Sequence, residues 1–310
     1  MPRNASVSRR EFFKSSAMGG AVLAAGGIAA GANGVPLPAA PEAAKSTKVF
    51  VITDMEGVSG IFDFELQCMP YTSPRWAESQ TLLTGEVNAA VEGLFEGGAT
   101  EVVVWDGHDS SRSLSVLDIN PAARLLTGEP VSPTLQLDPS YSAVIFVGQH
   151  AMAGARNGIL NHSYSSLGIQ NIWVNNMRVG EIGGRVLLAG SFGIPVIMLA
   201  GDAAACEELR ALIPQAECAE VKSGVSGTAG FMLPHRQACA FIRETARRAV
   251  KRIPEFKPYR ITGPVEVKVE FTTRHVATFL PRVGVERVNQ RTWLFRGSNI
   301  QDAWLKYSSF

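Results

Sequence analysis

Apolar positions along the chain follow two alternating periods. The run from Lys48 to Thr53 (KVFVIT) is short, apolar and β-branched, and reads as a buried strand. From about Arg75 to Phe95 the period turns helical, with Leu82, Leu83, Val87, Ala90, Val91 and Leu94 apolar. Gly97-Gly98 stops that helix. Further strands are expected at Glu101–Trp105, Ser142–Val147, Ile172–Val174 and Pro195–Ala200, and helices at Glu181–Ser191 and Ala203–Leu212. Strands that are apolar throughout and alternate with helices indicate a parallel sheet covered on both faces. The expected class is α/β, a three-layer, mainly parallel sheet.

After about Pro214 the texture changes. A basic-apolar helix is expected from Pro234 to Ile253, with Pro258 and Pro264 breaking the chain after it. Alternating strands follow at Val265–Phe271 and His275–Phe279, another near Thr292–Phe295, then a terminal helix. This organisation reads as an α/β domain over residues 48–213 and a smaller C-terminal α+β subdomain over 214–310. The sequence shows no internal repeat.

The N-terminus has a different character. Ser8-Arg9-Arg10-Glu11-Phe12-Phe13-Lys14 sets paired arginines before two aromatics and a lysine, and resembles the twin-arginine export signal. The uncharged Ala/Gly-rich run from Ala17 to Ala32 is too short and too weakly apolar for a membrane span, which needs about 20 apolar residues. Ala30-Gly31-Ala32 offers a small-x-small cleavage site, and Pro36, Pro38 and Pro41 mark a linker. Residues 1–32 are thus read as a signal peptide and 33–47 as a linker. The expectation is export to the periplasm or beyond by the twin-arginine machinery, with no stable membrane insertion after cleavage. Cargo of that route folds before transport, which suits a protein that takes up metal in the cytoplasm.

Composition narrows the function class. Hydrophobic residues make up 46% and charged residues 18%, values of a globular fold. The formal net charge of +1 leaves no basic excess to hold nucleic acid. Cys68, Cys206, Cys218 and Cys239 form no C-x-x-C pair, so they read as small buried apolar residues rather than a thiolate metal site.

Side chains able to bind metal gather at strand ends. Asp54 and Glu56 follow the first strand, Asp106 and His108 the second, and His150 the third. In an open α/β sheet, ligands bind beyond the carboxyl ends of the strands. Each feature alone is compatible with a turn or a helix cap. Their recurrence at one sheet edge points to a catalytic site for zinc, manganese or iron, built from carboxylate and imidazole. Asp202 is read as a helix N-cap, Asp106 and Asp109 as groups that orient His108 or cap a loop, and Asn161 and Ser163 as substrate-positioning or loop residues. His235 and His275 read as surface or structural residues, and Trp105 and Trp173 as core aromatics.

The segment Asp54-Met55-Glu56-Gly57-Val58-Ser59-Gly60 resembles the D-x-E-G-[IV]-S-G signature of the zinc-dependent D-aminopeptidases of the DppA type. Trp105 to His108, Gly148 to Ala151, Asn161 to Ser163, Val179 to Gly183 and Pro195 to Asp202 resemble further segments of that family, in order, from about Lys48 to Val250. The resemblance implies a dinuclear site of two Zn2+ per chain. In it Asp54 would bridge both metals, Glu56 and His150 would complete one site, and His108 and Glu181 the other. His162 matches the family's catalytic histidine. Gly107 stands where the family commonly has serine, which would remove a hydrogen bond beside the metals, and the interval from His150 to His162 is about one residue longer. The family also implies short peptides with N-terminal D-residues as substrate, such as D-Ala-D-Ala, and a closed homo-oligomeric ring.

Two other readings stay open at this point. The same ligands would serve a metal-dependent amidase, an esterase or an L-peptide hydrolase. A non-catalytic binding protein on the same fold is the third reading, although five intact ligands have no use in one.

Overall fold

The structure is a computed structural model, and it describes residues 46–129, 131–132, 134–273 and 283–308. The signal, most of the linker, and the strand expected at His275–Phe279 with His275 lie outside the described residues. Residues Lys45–Phe310 form one compact unit. In chain order its first elements are β1 (Lys48–Thr53), α1 (Phe64–Gln67), α2 (Trp76–Gly97), β2 (Glu101–Trp105), β3 (Arg124–Leu126), β4 (Ala143–Gln149), β5 (Ile169–Val174) and β6 (Met177–Val179). They are followed by α3 (Glu181–Ser191), β7 (Val196–Asp202), α4 (Ala203–Leu212), β8 (Glu217–Ser226), β9 (Ala229–Met232) and α5 (His235–Lys251). A short 3-10 turn at Ile253–Glu255 precedes β10 (Val265–Phe271), β11 (Val285–Arg287), β12 (Thr292–Gly297) and α6 (Ile300–Ser308).

Seven strands form the main sheet in the order β3-β2-β1-β4-β7-β8-β9. Every pairing is parallel except β8 with β9. All seven residues of β4 and of β7 are buried, so both faces are covered, as the unbroken apolar runs require. Helices α2 and α5 pack together as one pair, and α3 and α4 as another. From β1 the chain crosses to β2 on one side and later returns to β4 on the other. The carboxyl ends flanking that reversal open a crevice, the standard place for a ligand in such a sheet.

Five antiparallel strands form a second sheet, in the order β11-β12-β10-β5-β6. Its core joins Val267, Val269, Phe295 and Trp304 to Leu187 of α3. The strand expected at 172–174 belongs here and not to the parallel sheet. Gln170 and Asn171 break its apolar run, which is the mark of a strand with one covered face. The main sheet continues through β8, β9 and α5, so its layer runs past residue 213 as far as Lys251. The second sheet draws on both 169–179 and 265–297.

Trp173, expected in the core, is half-buried on this second sheet with the Lys268 ammonium 4.2 Å above its ring. The four cysteines are free, and three of them are buried. Among the described residues, no helix is long and apolar enough to cross a membrane.

Candidate metal centre

The three adjacent parallel strands β2, β1 and β4 end in step and deliver the site. Asp54 and Glu56 follow β1, His108 lies three residues beyond β2, and His150 follows β4. The backbone at Asp54 and Gly57 stays tied to the end of β4, with Asp54 N–H donating to Val147 O at 2.9 Å and Gly57 N–H to Gly148 O at 2.7 Å. This approach needs glycine at 148: φ is +75°, and a Cβ there would sit 2.0 Å from the Asp54 carbonyl oxygen. Glu181 opens α3, where a carboxylate also suits the helix N-terminus. His162 comes from the loop between β4 and β5, and its ring stacks on His150 with centroids 3.9 Å apart. The longer interval between these histidines therefore does not keep His162 from the site.

All six expected side chains meet. Asp54 divides its two oxygens, Oδ1 lying 3.2 Å from His108 Nδ1 and Oδ2 lying 3.2 Å from His150 Nε2. His108 Nδ1 is also 3.1 Å from Glu56 Oε2, and His150 Nε2 is 3.3 Å from Glu181 Oε1. The shortest approaches thus group His108 with Glu56, and His150 with Glu181, with Asp54 reaching both. Glu56 also lies close enough to His150 to share an ion with it and Asp54, as the resemblance implied. His162 Nε2 stands back, 4.0 Å from Glu56 and 3.9 Å from Glu181.

Each histidine is oriented by its other nitrogen. His108 Nε2–H donates to Cys68 O at 2.8 Å, His150 Nδ1–H to Ala151 O at 2.9 Å, and His162 Nδ1–H to Leu160 O at 2.9 Å. A neutral imidazole so fixed turns a lone pair, not a proton, toward the carboxylates. Acceptors then face acceptors, and Glu56 Oε2 and His150 Nε2 are buried without a hydrogen-bond partner. Such a cluster calls for a cation. Two zinc ligands about 2.0–2.1 Å from one ion at a tetrahedral angle lie about 3.3 Å apart. The observed oxygen–nitrogen separations of 3.1 to 3.3 Å match that spacing. Asp54, Glu56 and His150, and separately His150, His162 and Glu181, each present atoms within 4.8 Å of one another. The donor set therefore fits zinc.

The electrostatics agree. Burial pushes the Asp54 carboxyl up, but His150 and His108 outweigh it and hold the group well below the usual carboxylate range. Burial raises Glu181 too, and His150 more than offsets it. Burial lowers His108 and His150, yet their carboxylate neighbours lift both well above the usual imidazole value. Positive charge is wanted at these nitrogens.

Several supports were not visible to sequence reasoning. Gln149 Nε2–H donates to Asp54 Oδ2 at 2.9 Å. Lys222 of β8 is buried and donates to the backbone carbonyls of Glu56 and, at 2.7 Å, Ile61, so it pins the loop that carries Glu56. Burial drives its ammonium down to about 8. One lysine within the buried part of a strand (ECAEVK) was the available signal. Of the residues singled out earlier, Asp202 caps α4, accepting from Ala204 N–H at 2.8 Å. Asp106 accepts from Ser113 and Leu114 and shapes the loop after His108. Asn161 and Ser163 staple their own loop, and His235 lies beside Cys239, away from the metal ligands. At Gly107 a Cβ would lie 2.4 Å from Thr53 O, so this backbone has no room for the serine common in the family.

The same loop carries a pH-sensitive group. Glu86 of α2 is fully buried and accepts from Ser59 N–H at 2.9 Å, while its second oxygen has no partner. Burial pushes this carboxyl up to about 8. A carboxyl raised above its unfolded value stabilises most below about pH 4.5, and that contribution is lost as pH rises through about 8. Glu86→Gln keeps the acceptor and removes the titration. Its stability advantage over the parent should be near zero at pH 5 and grow to the order of 3 kcal/mol by pH 8.5, read as urea midpoints across that range.

A cavity of about 930 Å³ opens over the cluster. Its walls include His162, Glu181 and Arg185, the aromatics Phe64, Trp105 and Tyr164, and Trp304 and Tyr307 of α6. Trp105 is thus both a core residue and a wall of the site.

Known proteins resemble this chain in sequence and fold. The sequence pattern of the M55 peptidases, described as D-aminopeptidase, matches residues 47–307. The D-aminopeptidase of Bacillus subtilis (strain 168) is 30% identical over 226 residues, covering 72% of this chain and 81% of that protein. A solved structure described as the Zn-dependent D-aminopeptidase DppA from Bacillus subtilis, a self-compartmentalizing protease, superposes with a TM-score of 0.78 at 28% identity. That match covers 84% of this chain and 95% of the other.

Proposed function

The chain belongs to the M55 D-aminopeptidase family and is a metallo-aminopeptidase, and from that premise we propose a dinuclear zinc enzyme that removes N-terminal D-residues from short peptides such as D-Ala-D-Ala. One observation carries the two-metal reading: the Asp54 carboxylate turns one oxygen to His108 and the other to His150, the posture of a bridging ligand. Glu56 and His150 would hold one ion with it, as their ligand atoms and those of Asp54 all lie within 4.8 Å of one another, and His108 and Glu181 the other. Bound there, zinc supplies Lewis acidity toward the scissile carbonyl and toward water.

The remaining chemistry belongs to the chain. Leu160 O holds the Nδ1 proton of His162, so Nε2 is the nitrogen free to take and return a proton. It stands at the cavity wall, where an attacking water gives up a proton and a leaving amine needs one. The stacked face of His150 fixes the ring in that position. Phe64, Trp105 and the α6 aromatics give the cavity an apolar wall against which a small side chain can pack.

Export by the twin-arginine route is part of the proposal, resting on Arg9, Arg10 and the segment after them. In the exterior compartment the enzyme would meet D-Ala-containing wall fragments. A closed homo-oligomer is proposed as well. Support for it comes from the description of the structural relative and from large apolar side chains such as Leu117, Leu167 and Phe231 that are more than 70% exposed.

The test is zinc stoichiometry with restoration. Protein purified without chelators should carry about two zinc ions per chain. Chelation should abolish cleavage of D-Ala-D-Ala, and added zinc should restore it. A folded protein that neither retains nor takes up zinc would overturn the reading.

A further inference from the structure

Arg185 is the cation on the cavity wall that is left without a carboxylate. Most described arginines outside this cavity are ion-paired, for example Arg75 with Glu78, Arg243 with Glu96 and Arg296 with Glu266. Arg185 is half-buried, lines the cavity, and has no ion pair or hydrogen-bond acceptor among the described residues. Its guanidinium is instead held between two rings, 4.6 Å from the Trp105 centroid and 5.3 Å from that of Tyr164. Ring faces steady a guanidinium but leave its N–H edge free for a planar anion.

Two more donors accompany it. Trp105 Nε1 and the Tyr164 hydroxyl are buried without a partner, and both residues line the same cavity. An indole N–H can only donate, so its partner must be an acceptor. A half-buried cation beside unsatisfied donors is costly unless an anion completes it. Carboxylate has the right charge and the fork geometry to match.

The position fits a short peptide. Arg185 lies four residues after Glu181 on α3, one turn further along the same face, which is about 6 Å of rise. One extended residue spans about 3.3–3.6 Å. A carboxylate one residue beyond a peptide bond at the metal ligands therefore comes within reach of a long arginine side chain. Gly184 lets Tyr164 pack close beside Arg185, since a Cβ there would lie 2.4 Å from the Tyr164 hydroxyl and 2.8 Å from Trp304.

We propose that Arg185, held against Trp105 and Tyr164, is the specificity-determining anchor for a substrate carboxylate one residue beyond the scissile bond. This rests on the peptidase reading of the same cavity. The carboxylate has two chemical sources, the C-terminus of a dipeptide or an acidic side chain at the second residue.

The experiment compares D-Ala-D-Ala, its C-terminal amide, and D-Ala-D-Glu α-amide, in which only the side chain is anionic. Wild type, Arg185→Met and Arg185→Lys are assayed as zinc-loaded full chains, and melting curves establish folding. In wild type, kcat/KM for an anionic substrate should exceed that for D-Ala-D-Ala amide by at least about 30-fold, mostly through KM, as befits one lost charge-assisted contact. Preference for D-Ala-D-Ala assigns the C-terminus, and preference for D-Ala-D-Glu α-amide assigns the side chain. Arg185→Met should bring the anion-to-amide ratio to within about threefold of one, and Arg185→Lys should give an intermediate ratio.

Equilibrium binding of the three compounds to the His162→Ala protein, with and without Arg185→Met, reads the same ratio without turnover. Absence of cleavage by wild type would count against the peptidase reading alone, because binding would still show or lack the preference. A wild-type ratio near one in binding, or a ratio that survives Arg185→Met, would overturn the proposal.

Discussion

Replacing Asp54 with asparagine should lower peptide cleavage by more than about 10³-fold, well beyond the 10- to 100-fold that loss of a partner outside the ligand set costs. The zinc content of the same protein should fall from about two per chain to one or fewer. The cause is that one carboxylate serves two groups. Its oxygens lie 3.2 Å from His108 and 3.2 Å from His150, with Gln149 fixing the second at 2.9 Å. Asparagine keeps the shape, removes the negative charge, and must turn an N–H₂ group toward one of those imidazoles. Atomic emission on the gel-filtered variant measures the zinc, and circular dichroism verifies the fold. Retention of two zinc ions with near-parental activity would show that Asp54 bridges nothing.

Replacing His162 with alanine should separate chemistry from metal binding. Its side chain is 13% exposed, against 5% for His108 and 1% for His150, and its Nε2 stays 3.9 Å or more from the nearest carboxylates. A group on the cavity wall that is not caged suits proton transfer, which is worth about 10²–10⁴ in rate. His162→Ala should therefore lose kcat by about that factor, with KM within a few-fold and zinc content unchanged. Loss of zinc together with activity would instead make His162 a ligand, as its closeness to His150 and Glu181 allows.

The two substitutions fail in different ways because the two residues occupy different depths. Asp54 lies at the floor, where β1 meets β4, and Lys222 and Glu86 clamp the loop beside it from other elements. His162 lies on a loop that Asn161 and Ser163 staple from within. The rigid floor holds the metal ligands, and the loop brings the proton carrier over them.

Much of this was legible in the sequence for local reasons. Unbroken β-branched runs such as that of β1 mark strands buried on both faces, and Gly98, left-handed at φ 111°, closes α2 where Gly97-Gly98 indicated. Asp54, Glu56, His108 and His150 were legible because each lies within three residues of the end of a recognisable strand, whereas Glu181 entered only through the family resemblance. Non-local facts were not. β8 mixes Glu217, Glu220 and Lys222 into its apolar positions, and only the surrounding sheet reveals that Lys222 points inward to the Glu56 carbonyl. The expected span of β5 covers only Ile172–Val174, without the polar Gln170 and Asn171 that mark a strand with one covered face, so its sheet was not declared. The grouping of ligands depends on distances between three loops, and spacing along one chain does not encode those distances. Arg185 reads as a polar interruption of a helix until Trp105 and Tyr164, from two other elements, close around it.

The stereochemical preference of the zinc-loaded enzyme is the measurement to make first. Initial rates on D-Ala-D-Ala and L-Ala-L-Ala at matched concentrations, with a chelated control, address metal and substrate together. A D-to-L ratio in kcat/KM well above ten, abolished by chelation and restored by zinc, is the expected result. Chelator-sensitive cleavage that favours L-Ala-L-Ala, or no cleavage of either by protein carrying two zinc ions, would contradict the assignment of a D-aminopeptidase activity to this chain.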